Sequence, residues 1–363
     1  AAGDGLSGLP MQDLPAELLD YPFDPVHVAT EPAHPRDAAR LMVVDRARGT
    51  VEHAHVRDLG RWIGAGDAMV VNRSSVLRAR LRMEGTEGLL LEPCADGCWR
   101  MMLRRAKRYS AGERLPLVGP HGVTGDAVRL VARDAEAWRV RLEAGPAGGS
   151  EAEIIERSGW TPLPPYILKA REVRHEPGDD DADRREYECV YADATARGSV
   201  AAPTAGLHFT EGLLASLAAS GVRREEIVLH VGAGTFKPVD AGTLSAHPMH
   251  SERMSVPAST AAMLAARPRP RIVAVGTTTV RALESLPDPA PAGGWSGETS
   301  ILIAPGHRFR HVDAMMTNFH LPRSTLLALV GAFVGLERLK ELYALAQREG
   351  YRFYSFGDAM LVV

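Results

Sequence analysis

Downstream of Tyr187 the chain alternates helix-like and strand-like segments, and this alternation constrains the fold more than any other feature. Residues 211–219 read as a helix ahead of a strand at 226–231, and 259–267 as a helix ahead of a strand at 271–275. Residues 279–285 read as another helix, 300–303 as a strand, and 324–334 and 336–349 as two closing helices. Helices interleaved with short apolar strands build an α/β layer domain. Upstream, a helix is expected to start at Asp13 as N-cap and run to Leu19. Residues 39–45 and 51–55 read as a hairpin, and 67–72 as a further apolar strand.

Between residues 76 and 143 the texture changes. Short segments at 88–92, 99–103, 127–131 and 138–142 are separated by Gly, Asp and Pro turns, the signature of a small antiparallel β-barrel or sandwich. The cluster Ala144-Gly-Pro-Ala-Gly-Gly149 reads as its exit linker. The expected organisation is a flexible start at 1–12, an α/β domain from 13–72 and 150–363, and an inserted β domain, barrel or sandwich, at 73–149. The acidic run at 176–183 reads as a solvated loop.

Composition removes several function classes. Apolar residues are 45% of the 363 and charged residues 24%, with a formal net charge of −3. A nucleic-acid partner must therefore meet a local basic patch. Arg100, Arg104, Arg105, Lys107 and Arg108 form one basic cluster, and Arg73, Arg78, Arg80 and Arg82 another; on a shared face they would contact phosphates. Three cysteines suit a reducing compartment rather than a disulfide framework. The apolar run 326–336 is too short to span a membrane, and no signal-peptide pattern stands at the start, so a cytoplasmic protein is expected. His247, His250 and Glu252 are a possible ligand set, more simply read as hydrogen-bonded structure, and no metal site is expected. Walker A, GxSxG and HExxH patterns are absent.

Five segments put Gly, Thr, His and Pro at strand ends, where ligands collect in open α/β sheets. The first carries Thr204 and His208, either as a ligand turn or as a plain turn before a helix. The second, His230-Val-Gly-Ala-Gly-Thr-Phe236, offers Gly232 and Gly234 backbone N–H groups, or a simple β-turn. In the third, Val275-Gly-Thr-Thr-Thr-Val-Arg281, Thr277 and Thr278 are N-cap candidates at an anion-favouring helix start. Arg281 there pairs either with a ligand anion or with Glu284. The fourth places Asn318 and His320 in a loop ahead of a helix with Pro322 in its first turn. The fifth, Tyr351-Arg-Phe-Tyr-Ser-Phe-Gly-Asp-Ala-Met360, reads as aromatic core and a turn.

At these segments, and at Pro162-Leu-Pro-Pro-Tyr-Ile167 and Met249-His-Ser-Glu252, the chain resembles the S-adenosylmethionine:tRNA ribosyltransferase-isomerase family of queuosine biosynthesis. The motifs run in family order over nearly the whole chain. The resemblance implies an α/β domain with an inserted β-barrel. It also implies that S-adenosylmethionine is consumed as a substrate, with no further cofactor. Its ribosyl part moves to the aminomethyl group of 7-aminomethyl-7-deazaguanine at the tRNA wobble position and isomerises, giving epoxyqueuosine, adenine and methionine.

Such chemistry needs a base for the ribose methylene beside the sulfonium. His208, His230 and His320 are the candidates, with Glu252 as a carboxylate alternative. Thr277, Thr278 and Arg281 suit the methionyl carboxylate, and Asn318, Tyr166 and Tyr191 the ribose and sulfonium. Thr204, Gly232 and Gly234 complete the expected donor site. Asn72, Arg78, Arg80, Arg104, Arg105, Lys107, Arg108 and Glu188 are the expected acceptor or RNA contacts. Departures gather on that acceptor side: Ser75 and Arg78 replace the family's usual arginine and proline, and Tyr187-Glu-Cys-Val-Tyr191 its Tyr-Gln-Thr-Val-Tyr. They leave open a second reading, a divergent member acting on a small-molecule acceptor. A monomer is expected.

Overall fold

A computed structural model describes residues 14–363 apart from 135, 233, 235–238 and 241. The expected flexible start, Asp13 as N-cap, and Ala233, Thr235 and Phe236 of the second motif lie outside the described residues. The fold is α/β with a small antiparallel barrel. Its main sheet has nine strands, in the order Trp295–Thr299, Glu252–Val256, Arg223–Leu229, Asp67–Asn72, Arg271–Val275, Ala314–Asn318, Ala359–Val362, Arg40–Asp45, Thr50–His55. The four strands from Arg223–Leu229 to Ala314–Asn318 are parallel, so their carboxyl ends open on one edge.

Strand alternation assigns the two faces. Val70, Ile272 and Ala274 enter one core with the helices Thr277–Glu284, Thr325–Val334 and Leu336–Arg348. Met69, Val71, Val273 and Val275 enter the other, with Leu213 and Leu217 of the helix Glu211–Ala219. Both faces are covered, as parallel strands require.

The barrel closes through six strands: Arg80–Met83, Thr86–Pro93, Trp99–Leu103, Trp138–Glu143, Gly122–Arg133 and Arg114–Gly119, the last returning to the first at Leu117 opposite Met83. The helix Glu151–Ser158 follows the exit cluster, and its Ile154 and Ile155 enter the barrel core. A two-stranded ribbon, Ser74–Val76 with Asp193–Ser199, runs between barrel and main sheet.

Several sequence expectations need correction. The helix expected over 13–19 is a single 3-10 turn, Ala16–Leu19, because Pro15 supplies no capping oxygen and Pro22 holds the chain extended beyond it. The acidic run is a solvated loop only over 176–179. Asp179 caps the helix Asp180–Glu186, and Asp183 is buried in a bidentate pair with Arg171 at 2.7 and 2.9 Å. The strand expected at 300–303 lies earlier, at Trp295–Thr299: Thr299 Oγ1 accepts the Ile301 N–H and bends the chain away. Gly276, at φ 90°, is the N-cap expected of Thr277 or Thr278, which occupy the first helical positions. Ser324 caps the following helix, so Pro322 precedes it, and Asn318 ends a strand rather than sitting in a loop.

Candidate active site

At the carboxyl ends of the parallel strands Arg271–Val275 and Ala314–Asn318 lies a pocket of about 610 Å³ including its mouth. Gly276, Thr277 and Thr278 bring the start of a helix to it, presenting free backbone N–H groups. Thr278 Oγ1 is buried there without a hydrogen-bond partner among the described residues. Of the expected donor residues, Tyr166, Thr204, Thr277, Thr278, Asn318 and His320 line this pocket together.

Asn318 is the most tightly held of them. Its Nδ2 donates to His208 Nε2 at 3.2 Å and to the Tyr354 carbonyl at 3.0 Å, while its Oδ1 accepts from Thr204 Oγ1 at 3.1 Å. His208 therefore stands behind the pocket wall, only 4% exposed, and orients Asn318. Burial, with Arg352 and Arg36 adding, pushes His208 down to about 3. His320 does line the pocket, its Nε2 against Thr317 Oγ1 at 2.8 Å, and burial pushes it down to about 3 as well. Both rings are neutral near pH 7. Tyr166 OH meets Ser355 Oγ at 2.6 Å, holding the ring at the pocket edge. Tyr191 packs instead against Phe209, its hydroxyl where a Cβ on Gly206 would fall.

A second cleft, about 1320 Å³ with its open mouth, runs between the sheet edge and the barrel and shares Val231 with the pocket. His230, Gly232, Gly234 and Glu252 line it from one side, Arg100 and Met102 from the barrel. His230 Nδ1 is buried there without a partner among the described residues, and burial followed by Arg253 lowers its pKa. Glu252 is paired with Arg281, both more than nine-tenths buried, and accepts the Gly232 N–H at 3.0 Å. Neither sequence alternative for Arg281 describes this. Glu284 is occupied elsewhere, accepting the N–H groups of Arg310, His311 and Val312.

The expected acceptor residues divide. Asn72 is fully buried as a backbone clamp, donating to the Leu229 carbonyl and accepting from the Leu229 and Ser74 N–H groups. Arg73, Arg78 and Arg80 are taken by Asp193, Glu156 and Glu87, and Arg82 stacks 3.6 Å over Trp160. That group makes no open patch with the barrel cluster, because its charges are spent inside the fold. Arg104, Arg105, Lys107 and Arg108 are exposed at a barrel turn; the last three have no ion-pair partner among the described residues. Glu188 Oε2 accepts from Ser75 Oγ at 2.9 Å and from the Val76 N–H at 3.2 Å, and burial raises its pKa.

Sequence reasoning missed Ser355 and Tyr354, which line the pocket from the loop before the last strand, and Arg253 and Glu298 in the cleft. Only the aromatic-turn motif signalled the first pair. His247, His250 and Glu252 do not gather as a metal set, and among the described residues no three His, Cys, Asp or Glu side chains do. No helix among the described residues is long and apolar enough to cross a membrane.

A family model described as queuosine biosynthesis protein matches residues 16–362. The chain belongs to this family of enzymes. Similar relatives are the S-adenosylmethionine:tRNA ribosyltransferase-isomerases of Sorangium cellulosum, 45% identical over 95% of this chain and 98% of that one, and of Moorella thermoacetica, 44% identical over 96% and 99%. A crystal structure described as S-adenosylmethionine tRNA ribosyltransferase from Thermotoga maritima covers 95% of this chain and 100% of its own. Its TM-score is 0.52 at 32% identity.

Proposed function

We propose that this enzyme transfers and isomerises the ribosyl group of S-adenosylmethionine onto the aminomethyl group of 7-aminomethyl-7-deazaguanine at a tRNA wobble position. The products are epoxyqueuosine in the RNA, adenine and methionine. The observation that carries this reading is the adjacency of two sites: a pocket at a helix start that gathers Tyr166, Thr204, Thr277, Thr278, Asn318 and His320, and a cleft toward the barrel that shares Val231 with it.

In this reading the methionyl carboxylate lies on the N–H groups of Thr277 and Thr278, and Thr278 Oγ1 finds its missing partner there. Thr204 and Asn318 address the ribose, and Tyr166 presents an aromatic face to the sulfonium. The sulfonium acidifies the adjacent methylene, and the His230 imidazole, whose Nδ1 has no partner among the described residues, accepts its proton from the cleft side. His320, held down to about 3 by burial, is too weak a base and lines the pocket instead. His208 positions Asn318. Arg281 holds Glu252, and so the Gly232 turn, at the junction. The exposed turn from Arg104 to Arg108 meets RNA phosphates.

The departures at Ser75 and Glu188 meet in a hydrogen bond from Ser75 Oγ to Glu188 Oε2, and the alternative, a small-molecule acceptor, is separated by the experiment that follows. Incubation with ribose-labelled S-adenosylmethionine, with and without RNA bearing the aminomethyl base, tests the proposal. Label on RNA supports it; adenine release that ignores RNA but follows a free deazaguanine contradicts it.

A further inference from the structure

We infer that an apolar groove beside the cleft holds a nucleobase flanking the modified one, turned out of the RNA loop. This rests on the reading that the acceptor is RNA. The groove lies between the barrel's outer face and the proline-rich segment at 162–165. On the barrel strands Thr86–Pro93 and Trp99–Leu103, Leu90 and Met101 point inward and are fully buried. Their alternates Leu89 and Met102 point outward and face each other directly across the ladder. Met102 is 37% exposed, so its side chain offers apolar surface to the groove. Across the groove stand Pro162, Pro164 and Leu168.

Position turns this surface into a subsite. Met102 and Val200 line both the groove and the His230 cleft, and Val231 links that cleft to the donor pocket. The donor pocket, the cleft and the groove are therefore neighbours, each sharing a wall residue with the next. Arg104, two residues beyond Met102 and on its side of the strand, lines the groove and leads into the exposed basic turn. An RNA whose modified base enters the cleft then has its backbone drawn toward Arg104 to Arg108, with a neighbouring base over Leu89 and Met102. Single-stranded loops are recognised through unstacked bases splayed out against the protein, and the surface offered here is aliphatic. The groove encloses about 1130 Å³ with its mouth, ample for one base. Its polar pair, Arg80 with Glu87, is already matched, so it grips by area rather than by base edges.

The test uses an anticodon stem–loop RNA bearing the aminomethyl base, and the same RNA with either flanking nucleotide made abasic. Wild-type enzyme is expected to show a KM about ten-fold higher for one abasic RNA, with the KM for S-adenosylmethionine unchanged. Met102→Ser, a change at an exposed position, is expected to raise the KM for intact RNA similarly and to add nothing on that abasic RNA. Leu89→Ser should repeat the pattern. Equal KM values for all three RNAs, or losses that multiply on the abasic RNA, overturn the subsite. Absence of ribosyl transfer to every RNA removes the underlying reading, and the subsite with it.

Discussion

Glu252 and Arg281 form a buried ion pair that ties the strand lining the cleft to the helix whose first residues line the pocket. The pair connects the two halves of the proposed site, since Glu252 also takes the Gly232 N–H and Arg281 Nε donates to the Ile301 carbonyl at 3.3 Å.

Removing one partner strands a charge in a dry setting. Arg281→Met is expected to destabilise the protein by about 3–5 kcal/mol in denaturant unfolding, and the double variant Arg281→Met/Glu252→Gln to recover a large part of it. A single variant as stable as wild type would contradict the pairing.

Thr278→Val separates binding from stability. Its hydroxyl is buried without a partner among the described residues, so replacing it with a methyl of similar volume is expected to leave thermal stability within about 1 kcal/mol. The KM for S-adenosylmethionine should rise about ten-fold at near-constant KM for RNA. An unchanged donor KM would place the carboxylate elsewhere.

Acid should weaken the fold through its buried histidines. His208 and His320 fall from an ordinary 6.5 to about 3, so below pH 6.5 the unfolded chain binds protons that the folded one refuses. Stability is complete above about pH 6.5 and declines as pH falls toward 3, each ring contributing about 1.4 kcal/mol per pH unit. His208→Gln is expected to flatten this decline by about one proton in urea titrations between pH 4 and 6. A slope identical to wild type would show that His208 protonates freely.

How much of this could be read beforehand depended on whether the signal was local. The strands Asp67–Asn72 and Arg271–Val275 and the helix Glu211–Ala219 stand where the residues indicated, because Val and Ile or a clean cap announce them. Ala314–Asn318 and Ala359–Val362 did not: buried on every side, they need no alternation, and Ala and Met carry little strand preference. In the site, Thr277, Thr278, Asn318 and His320 were legible as strand-end polar residues. The partner of Arg281 was not, since Glu252 lies 29 positions away and meets it only through sheet order. The arginines at 73, 78 and 80 read as a phosphate-contacting face, but carboxylates take all three and Arg82 stacks over Trp160.

Glu188→Gln should be nearly silent. An amide oxygen can accept from Ser75 Oγ and the Val76 N–H as the carboxylate does, and burial already disfavours the charge. The expected kcat/KM for RNA lies within about three-fold of wild type, roughly 0.7 kcal/mol. A change of acceptor preference would instead give Glu188 a direct part in recognition.

The basic turn should govern salt dependence. Replacing Arg105, Lys107 and Arg108 by Ala together is expected to lower the slope of log affinity for single-stranded loop RNA against log salt. The drop should be about 0.7 for each phosphate that the variant no longer neutralises. Donor binding should not move.

The most direct measurement follows deuterium placed on the ribose methylene beside the sulfonium. With RNA carrying the aminomethyl base, the account predicts adenine, methionine and RNA-bound ribosyl product in equal amounts, with one deuterium of that methylene lost to solvent. Product that keeps both deuteriums, or S-adenosylhomocysteine in place of adenine and methionine, would contradict it.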